Sequence, residues 1–200
     1  AWQRLHLARR DLASRARCAV NQGATRASTR VSSFPPALGD GSLRVLILGS
    51  MPGVRSLAEN RYYAHPQNYF WTLMGELFGA GPELDYARRL ECLHDTGVGL
   101  WDVLKHCKRS GSLDSAIARD SEVPNDIPAL IAASPQLRAI GFNGGTAWAT
   151  FRRHVLPQLP AETRGRLALI PLPSTSPANA GIPRGRKLEE WGALKKFLGG

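Results

Sequence analysis

The apolar run Val45-Leu46-Ile47-Leu48 stops at Gly49. An uninterrupted aliphatic run of this length, with no polar alternation, predicts a strand buried on both faces in a parallel sheet. From Asn68 to Phe78 the apolar positions switch to helical spacing, with Phe70, Leu73, Met74 and Leu77 on one face. A second helix is predicted over Tyr86 to Leu93. Gly97 to Val103 reads as a second strand running into a loop. A helix over 126–133 is opened by Pro124-Asn125-Asp126. Leu137 to Phe142 predicts a third strand, Thr146 to Val155 a helix, and Leu167 to Leu172 a fourth strand. Leu188 to Leu198 closes the chain with a helix bearing Trp191, Leu194 and Leu198. Strand and helix alternate throughout, which predicts a three-layer α/β/α fold around a central, mainly parallel four-stranded sheet.

Composition changes this picture mainly at the amino end. Residues 1–40 hold seven Arg against Asp11 and Asp40, so the net charge of +10 falls to +5 over residues 41–200. Residues 1–32 are therefore read as a basic extension, with a transit peptide as an alternative for the first thirty, and 33–200 as a single α/β domain. The charge permits a polyanionic partner such as nucleic acid without requiring one. No apolar run reaches membrane-spanning length, and no segment has the layout of a secretory signal, so an intracellular (cytoplasmic) setting is expected. Three cysteines, Cys18, Cys92 and Cys107, include no C-x-x-C pair and read as reduced thiols. They cannot supply a four-cysteine iron–sulfur site. The spacing of Cys92, His94, His106 and Cys107 matches no usual zinc pattern.

The candidate chemistry lies at the predicted strand ends, where open α/β sheets bind ligands. The turn Gly49-Ser50-Met51-Pro52-Gly53 combines two residues that let a ligand approach the backbone with a proline that stiffens the bend. It has neither G-x-G-x-x-G spacing nor the Gly-Lys-Ser/Thr of a P-loop. Beyond it comes Tyr62-Tyr63-Ala64-His65-Pro66-Gln67-Asn68-Tyr69-Phe70-Trp71. Aromatic rings and one carboxamide beside a strand end suit a flat, polar ring. Each feature also has a plainer reading: Tyr63 as core, Asn68 as a helix cap, Asn143 as a turn residue before two glycines. Asp102, at the second strand end, could bond backbone, shape a pocket or cap the following turn. Asp114-Ser115 receives no chemical role.

These two motifs resemble the uracil-DNA glycosylase superfamily, and most closely its hypoxanthine-DNA (deoxyinosine) glycosylase branch. That branch is known for a G-S-M-P-G turn followed by Y-Y-A-H-P-x-N-x-F-W. The resemblance covers residues 31–200. Mismatch-specific uracil glycosylases place an Asn at the third position of the turn, where this chain has Met51. The resemblance therefore implies that the catalytic carboxamide is Asn68. It implies Tyr63 as the ring that stacks on the base, fourteen residues after Gly49, leaving Tyr62 for the core. It implies Asn143 as reader of the base edge, with Ser50, Met51 and Ser174 completing the base site. The His that uracil-specific relatives carry before Pro-Ser is absent from Pro173-Ser174-Thr175-Ser176, which weakens the case for uracil. Ser176, Ile182, Arg184, Arg186 and Lys187 are the expected contacts to DNA, with Ile182 as wedge and the basic residues on phosphates.

The expected activity is thus hydrolysis of the N-glycosidic bond of a deaminated base, hypoxanthine first, in double-stranded DNA, leaving an abasic site. The expected enzyme is monofunctional, monomeric and free of cofactor and metal. A mismatch uracil glycosylase and a non-catalytic binder of damaged DNA remain the alternatives.

Overall fold

A computed structural model describes residues 28–40 and 43–199. Its centre is a four-stranded parallel sheet of β2 (Val45–Gly49), β3 (Val98–Asp102), β6 (Ala139–Asn143) and β7 (Ala168–Leu172), in the order β3-β2-β6-β7. All five residues of β2 are buried, as its unbroken apolar run requires. Alternate side chains leave opposite faces of the strand. Val45 and Ile47 pack with Phe70, Leu73, Met74 and Trp191. Leu46 and Leu48 pack with Ile127, Ile131, Phe142 and Phe151. The first set joins the sheet to α2 (Phe70–Phe78), α3 (Tyr86–Asp95) and α7 (Arg184–Gly192), the second to α4 (Ile127–Ala132) and α5 (Gly145–His154). The three predicted layers are present.

The sequence did not reveal a second sheet. β1 (Thr29–Ser32), β4 (Leu104–Arg109) and β5 (Ile117–Pro124) form an antiparallel sheet in the order β1-β4-β5. Val31 lies opposite Cys107, and Lys108 opposite Ala118. Residues 1–27 of the basic extension lie outside the described residues, but Thr29–Ser32, which belong to the same predicted extension, form this edge strand. The short helices α1 (Val54–Glu59) and α6 (Ala161–Arg166) were also unforeseen. The helix expected from Asn68 starts at Phe70, which leaves Asn68 just before it. The closing helix starts at Arg184, ahead of Leu188, and runs into a 3-10 segment over Ala193–Phe197. Among the described residues, no helix is long and apolar enough to cross a membrane.

Parallel register sets the site. Gly49 lies opposite Asp102, and Asn143 opposite Leu172. Every strand of the central sheet therefore delivers its carboxyl end to the same edge.

Candidate active site

At that edge lies a cavity of about 650 Å3. The turn 49–53 forms one wall, and its backbone is held from two directions. Where β3 passes into β4, Val103 N–H donates to Gly49 O at 2.8 Å and Leu104 N–H to Ser50 O at 3.1 Å. From the antiparallel sheet, the buried guanidinium of Arg109 donates to Met51 O at 3.4 Å and to Pro52 O. Burial lowers the pKa of Arg109 against the opposing pull of Cys107, Asp114 and Asp102. Met51 was expected at the base. It touches the cavity, but it is only 6% exposed and packs on Leu104 and Cys107. Its main work is to anchor the turn to the second sheet.

Asp102 lies on the floor, 3% exposed. Ser33 Oγ donates to its Oδ2 at 2.7 Å. Its Oδ1 faces Gly49 so closely that a Cβ added to that glycine would be 2.6 Å away. Burial pushes the Asp102 carboxyl up to about 7, with the Ser33 hydrogen bond and Arg109 pulling down and Asp114 pushing further up. Asp114 lines the same space, its Oδ1 accepting from Ser50 Oγ at 2.7 Å. Burial raises this carboxyl too, opposed by the Ser50 hydrogen bond and Arg109. A carboxyl that keeps its proton near neutrality offers an O–H donor beside a carbonyl acceptor. Ser50 thus serves the site through Asp114.

The two adjacent tyrosines diverge. Tyr62 is 4% exposed, donates its hydroxyl to Pro35 O at 3.2 Å and packs edge-on against Phe34. Tyr63 takes φ +55°, a left-handed backbone that costs a bulky residue on the order of 1–3 kcal/mol and that concentrates at functional sites. The bend sends its ring to the cavity, stacked on Phe70 with centroids 3.7 Å apart and planes 19° from parallel. Phe70 backs one face of this ring.

Asn68 also lines the cavity. Its Oδ1 accepts from Phe70 N–H at 3.0 Å, so the carboxamide oxygen closes an Asx-type turn into α2, one residue ahead of the N-cap position, which Tyr69 holds. The other end of the amide, Nδ2, makes no hydrogen bond with the described residues.

The remaining expected residues divide. Asn143 reaches the cavity, but its Nδ2 donates to Thr175 Oγ1 at 2.9 Å and its Oδ1 accepts from Thr175 N–H at 2.9 Å. Its acceptor and one donor hydrogen therefore join the ends of β6 and β7, which favours the plainer turn reading over that of a base reader. Ser174 Oγ accepts from Ser176 N–H at 3.2 Å, and Ser176 Oγ from Ala178 N–H at 3.3 Å, so both hydroxyls shape the loop they line. Ile182 stands at the cavity rim. Arg184 lies over the Tyr69 ring at 5.2 Å, and Arg186 is exposed beside Glu190. Lys187 must be struck from the DNA contacts. It is 4% exposed, and its Nζ donates inward to Asn179 O at 2.9 Å. Ser33, Arg109, Asp114 and Thr175 were missed as parts of the site. Only Asp114 had been singled out, without a role.

A flat heterocycle entering this cavity would meet an aromatic ring, a buried carboxyl whose pKa is raised to about 7 and an amide N–H without a partner among the described residues. No lysine is among the described residues that line it.

A sequence model described as the uracil DNA glycosylase superfamily matches residues 36–196. A hypoxanthine DNA glycosylase of Methanosarcina acetivorans is 38% identical over 160 residues, 80% of this chain and 94% of that protein. A hypoxanthine DNA glycosylase of Methanosarcina barkeri is 42% identical over 112 residues, 56% of this chain and 69% of that protein. The solution NMR structure of a candidate uracil DNA glycosylase from Methanosarcina acetivorans has the same fold, with a TM-score of 0.68 and 32% identity. It covers 85% of this chain and 99% of its own.

Proposed function

Since the chain belongs to the uracil DNA glycosylase superfamily, we propose that its cavity receives a deaminated base, hypoxanthine in the first place, swung out of double-stranded DNA. The observation that carries this reading is the convergence of Tyr63, Asp102 and Asn68 on one cavity at the sheet's carboxyl edge. Tyr63 presents a π surface, a contact worth about 1–3 kcal/mol per base and tolerant of ring type. Asp102, when protonated, can accept from the N1–H of hypoxanthine and donate to its O6, a pairing that ionisation removes. Asn68 holds its oxygen on the helix start and turns its N–H toward the reacting sugar or the attacking water.

An amide cannot deprotonate water, and here it does not need to. The C1′–N9 bond stretches toward an oxocarbenium-like state before the nucleophile bonds. A placed donor in a site closed to bulk solvent then stabilises the charge that develops. Water adds its oxygen to C1′, the base leaves with one of the water's protons, and an abasic site remains. The absence of lysine among the lining residues supports a monofunctional enzyme, because a Schiff-base step needs an amine. Single-turnover release of free base from duplexes holding hypoxanthine, xanthine or uracil tests the reading. Hypoxanthine should be released fastest, and a chain that binds these duplexes but releases none of the three bases is not a glycosylase.

A further inference from the structure

Large exposed apolar side chains are few among the described residues: Val54 at 51%, Leu113 at 57% and Val123 at 45%. Single exposed leucines are ordinary on protein surfaces. Two of these three, however, stand on neighbouring segments of one rim. Leu113 lines the cavity, and Val54 begins α1 just after the turn that walls it. Val54 N–H donates to Ser112 Oγ at 3.0 Å, which ties the two segments together.

The two residues flanking Leu113 are held by their side chains: Ser112 Oγ accepts from Val54 N–H, and Asp114 Oδ1 accepts from Ser50 Oγ. The Leu113 carbonyl accepts from Ala116 N–H at 3.0 Å. An apolar side chain that points into water from a braced loop has lost its backbone freedom before any partner arrives. Binding therefore costs it little further ordering. β4, which leads into this loop, also carries the exposed Lys105 and Lys108. An apolar prong at the mouth of a pocket for a flat ring, on a chain of net charge +10, suits insertion into a base stack flanked by phosphates.

We propose that Leu113, with Val54 beside it, is an apolar wedge that enters the DNA base stack next to the extruded nucleotide, from the wall of the cavity formed by the antiparallel sheet. This rests on reading the cavity as a base-binding site. It is distinct from Ile182, which stands on the loop before α7. Two prongs on different loops hold the duplex open on either side of the gap.

The test uses a duplex carrying a tetrahydrofuran abasic analogue with 2-aminopurine as its neighbour, a base whose fluorescence rises on unstacking. The full chain should raise this signal, and Leu113→Ala should lower the enhancement, and base release from duplex, by about tenfold, the factor expected for loss of one apolar side chain's burial. Leu113→Met should restore most of both. Leu113→Lys should bind the duplex at least as tightly through phosphates yet give no enhancement. All three variants should unfold at the wild-type midpoint, because the side chain is exposed. Unchanged enhancement in Leu113→Ala overturns the wedge, as does a wild-type chain that gives none. A dimer that dissociates on Leu113→Ala assigns the patch to a second copy and overturns it as well. Base release by the same wild-type protein is read separately. Enhancement without release would refute the proposed reaction and leave the wedge standing.

Discussion

Asp102→Asn removes a titrating group while keeping its shape, and its consequence can be worked out as a function of pH. In the folded chain burial holds the Asp102 proton to about pH 7, against 3.8 for an ordinary aspartate. Between those values the native state binds a proton that the unfolded chain has released. Stability that is present below pH 3.8 is therefore lost as pH rises through about 7. At roughly 1.4 kcal/mol per pH unit the interval amounts to ~4 kcal/mol, an order-of-magnitude figure. Asn cannot ionise, can accept from Ser33 Oγ, and presents a donor and an acceptor as the protonated acid does. Urea unfolding of both proteins from pH 4 to pH 9 should show the variant gaining on the wild type by several kcal/mol across the range. Base release should follow the same logic: the wild-type rate falls through about pH 7 as the donor to O6 is lost, and the variant's rate stays level. A stability difference that is flat with pH, or superimposable pH–rate profiles, would refute both the buried proton and its use on the base.

Three further substitutions test the other walls of the cavity. Gly49→Ala places a methyl group within 2.6 Å of Asp102 Oδ1; base release should fall by at least about tenfold while DNA affinity, set by phosphate contacts, stays near wild type, and a fully active variant would show that the floor does not meet the base. Tyr63→Phe should be nearly silent in base release, whereas Tyr63→Ala should lose about 1–3 kcal/mol of base stacking. Equal damage from both would transfer the role from the ring to the hydroxyl. Arg109→Met leaves the Met51 and Pro52 carbonyls unpaired in a buried setting, so thermal or urea unfolding should show a loss of about 2 kcal/mol or more; wild-type stability would mean that water replaces the guanidinium there.

Legibility in the sequence followed burial. The strands of the parallel sheet are apolar on both faces, so Val45–Leu48 announces itself without any partner in view. The antiparallel sheet does not, because β4 reads Leu-Lys-His-Cys-Lys-Arg and β5 is half-exposed with two bulge-like register shifts in their pairing. Neither strand alternates cleanly. Tyr63 and Asn68 were legible because they fall within a long, specific motif. Asp102 was visible at a strand end, but its raised pKa is a product of tertiary burial, and the hydrogen bond that opposes the rise comes from Ser33, 69 positions away in sequence. Lys187 misled because a basic residue in a basic loop gives no sign that its amine turns inward. Asn143 was rightly placed at the cavity, yet nothing local shows that Thr175 would occupy both ends of its amide.

In the proposed reaction the N–H end of the Asn68 carboxamide does the catalytic work, and the decisive experiment is single-turnover base release by the Asn68 variants on a hypoxanthine duplex. Asn68→Asp keeps an acceptor for Phe70 N–H, so the start of α2 and the overall stability should survive. It replaces the free amide donor by an oxygen. Asn68→Ala loses both ends, and should cost about 1 kcal/mol of stability as well. Both variants should bind the duplex like the wild type and cleave it slower by a factor on the order of 10²–10³. An Asn68→Asp chain that cleaves at the wild-type rate would place the catalytic work on the acceptor oxygen, and an Asn68→Ala chain that does so would reduce Asn68 to a helix cap.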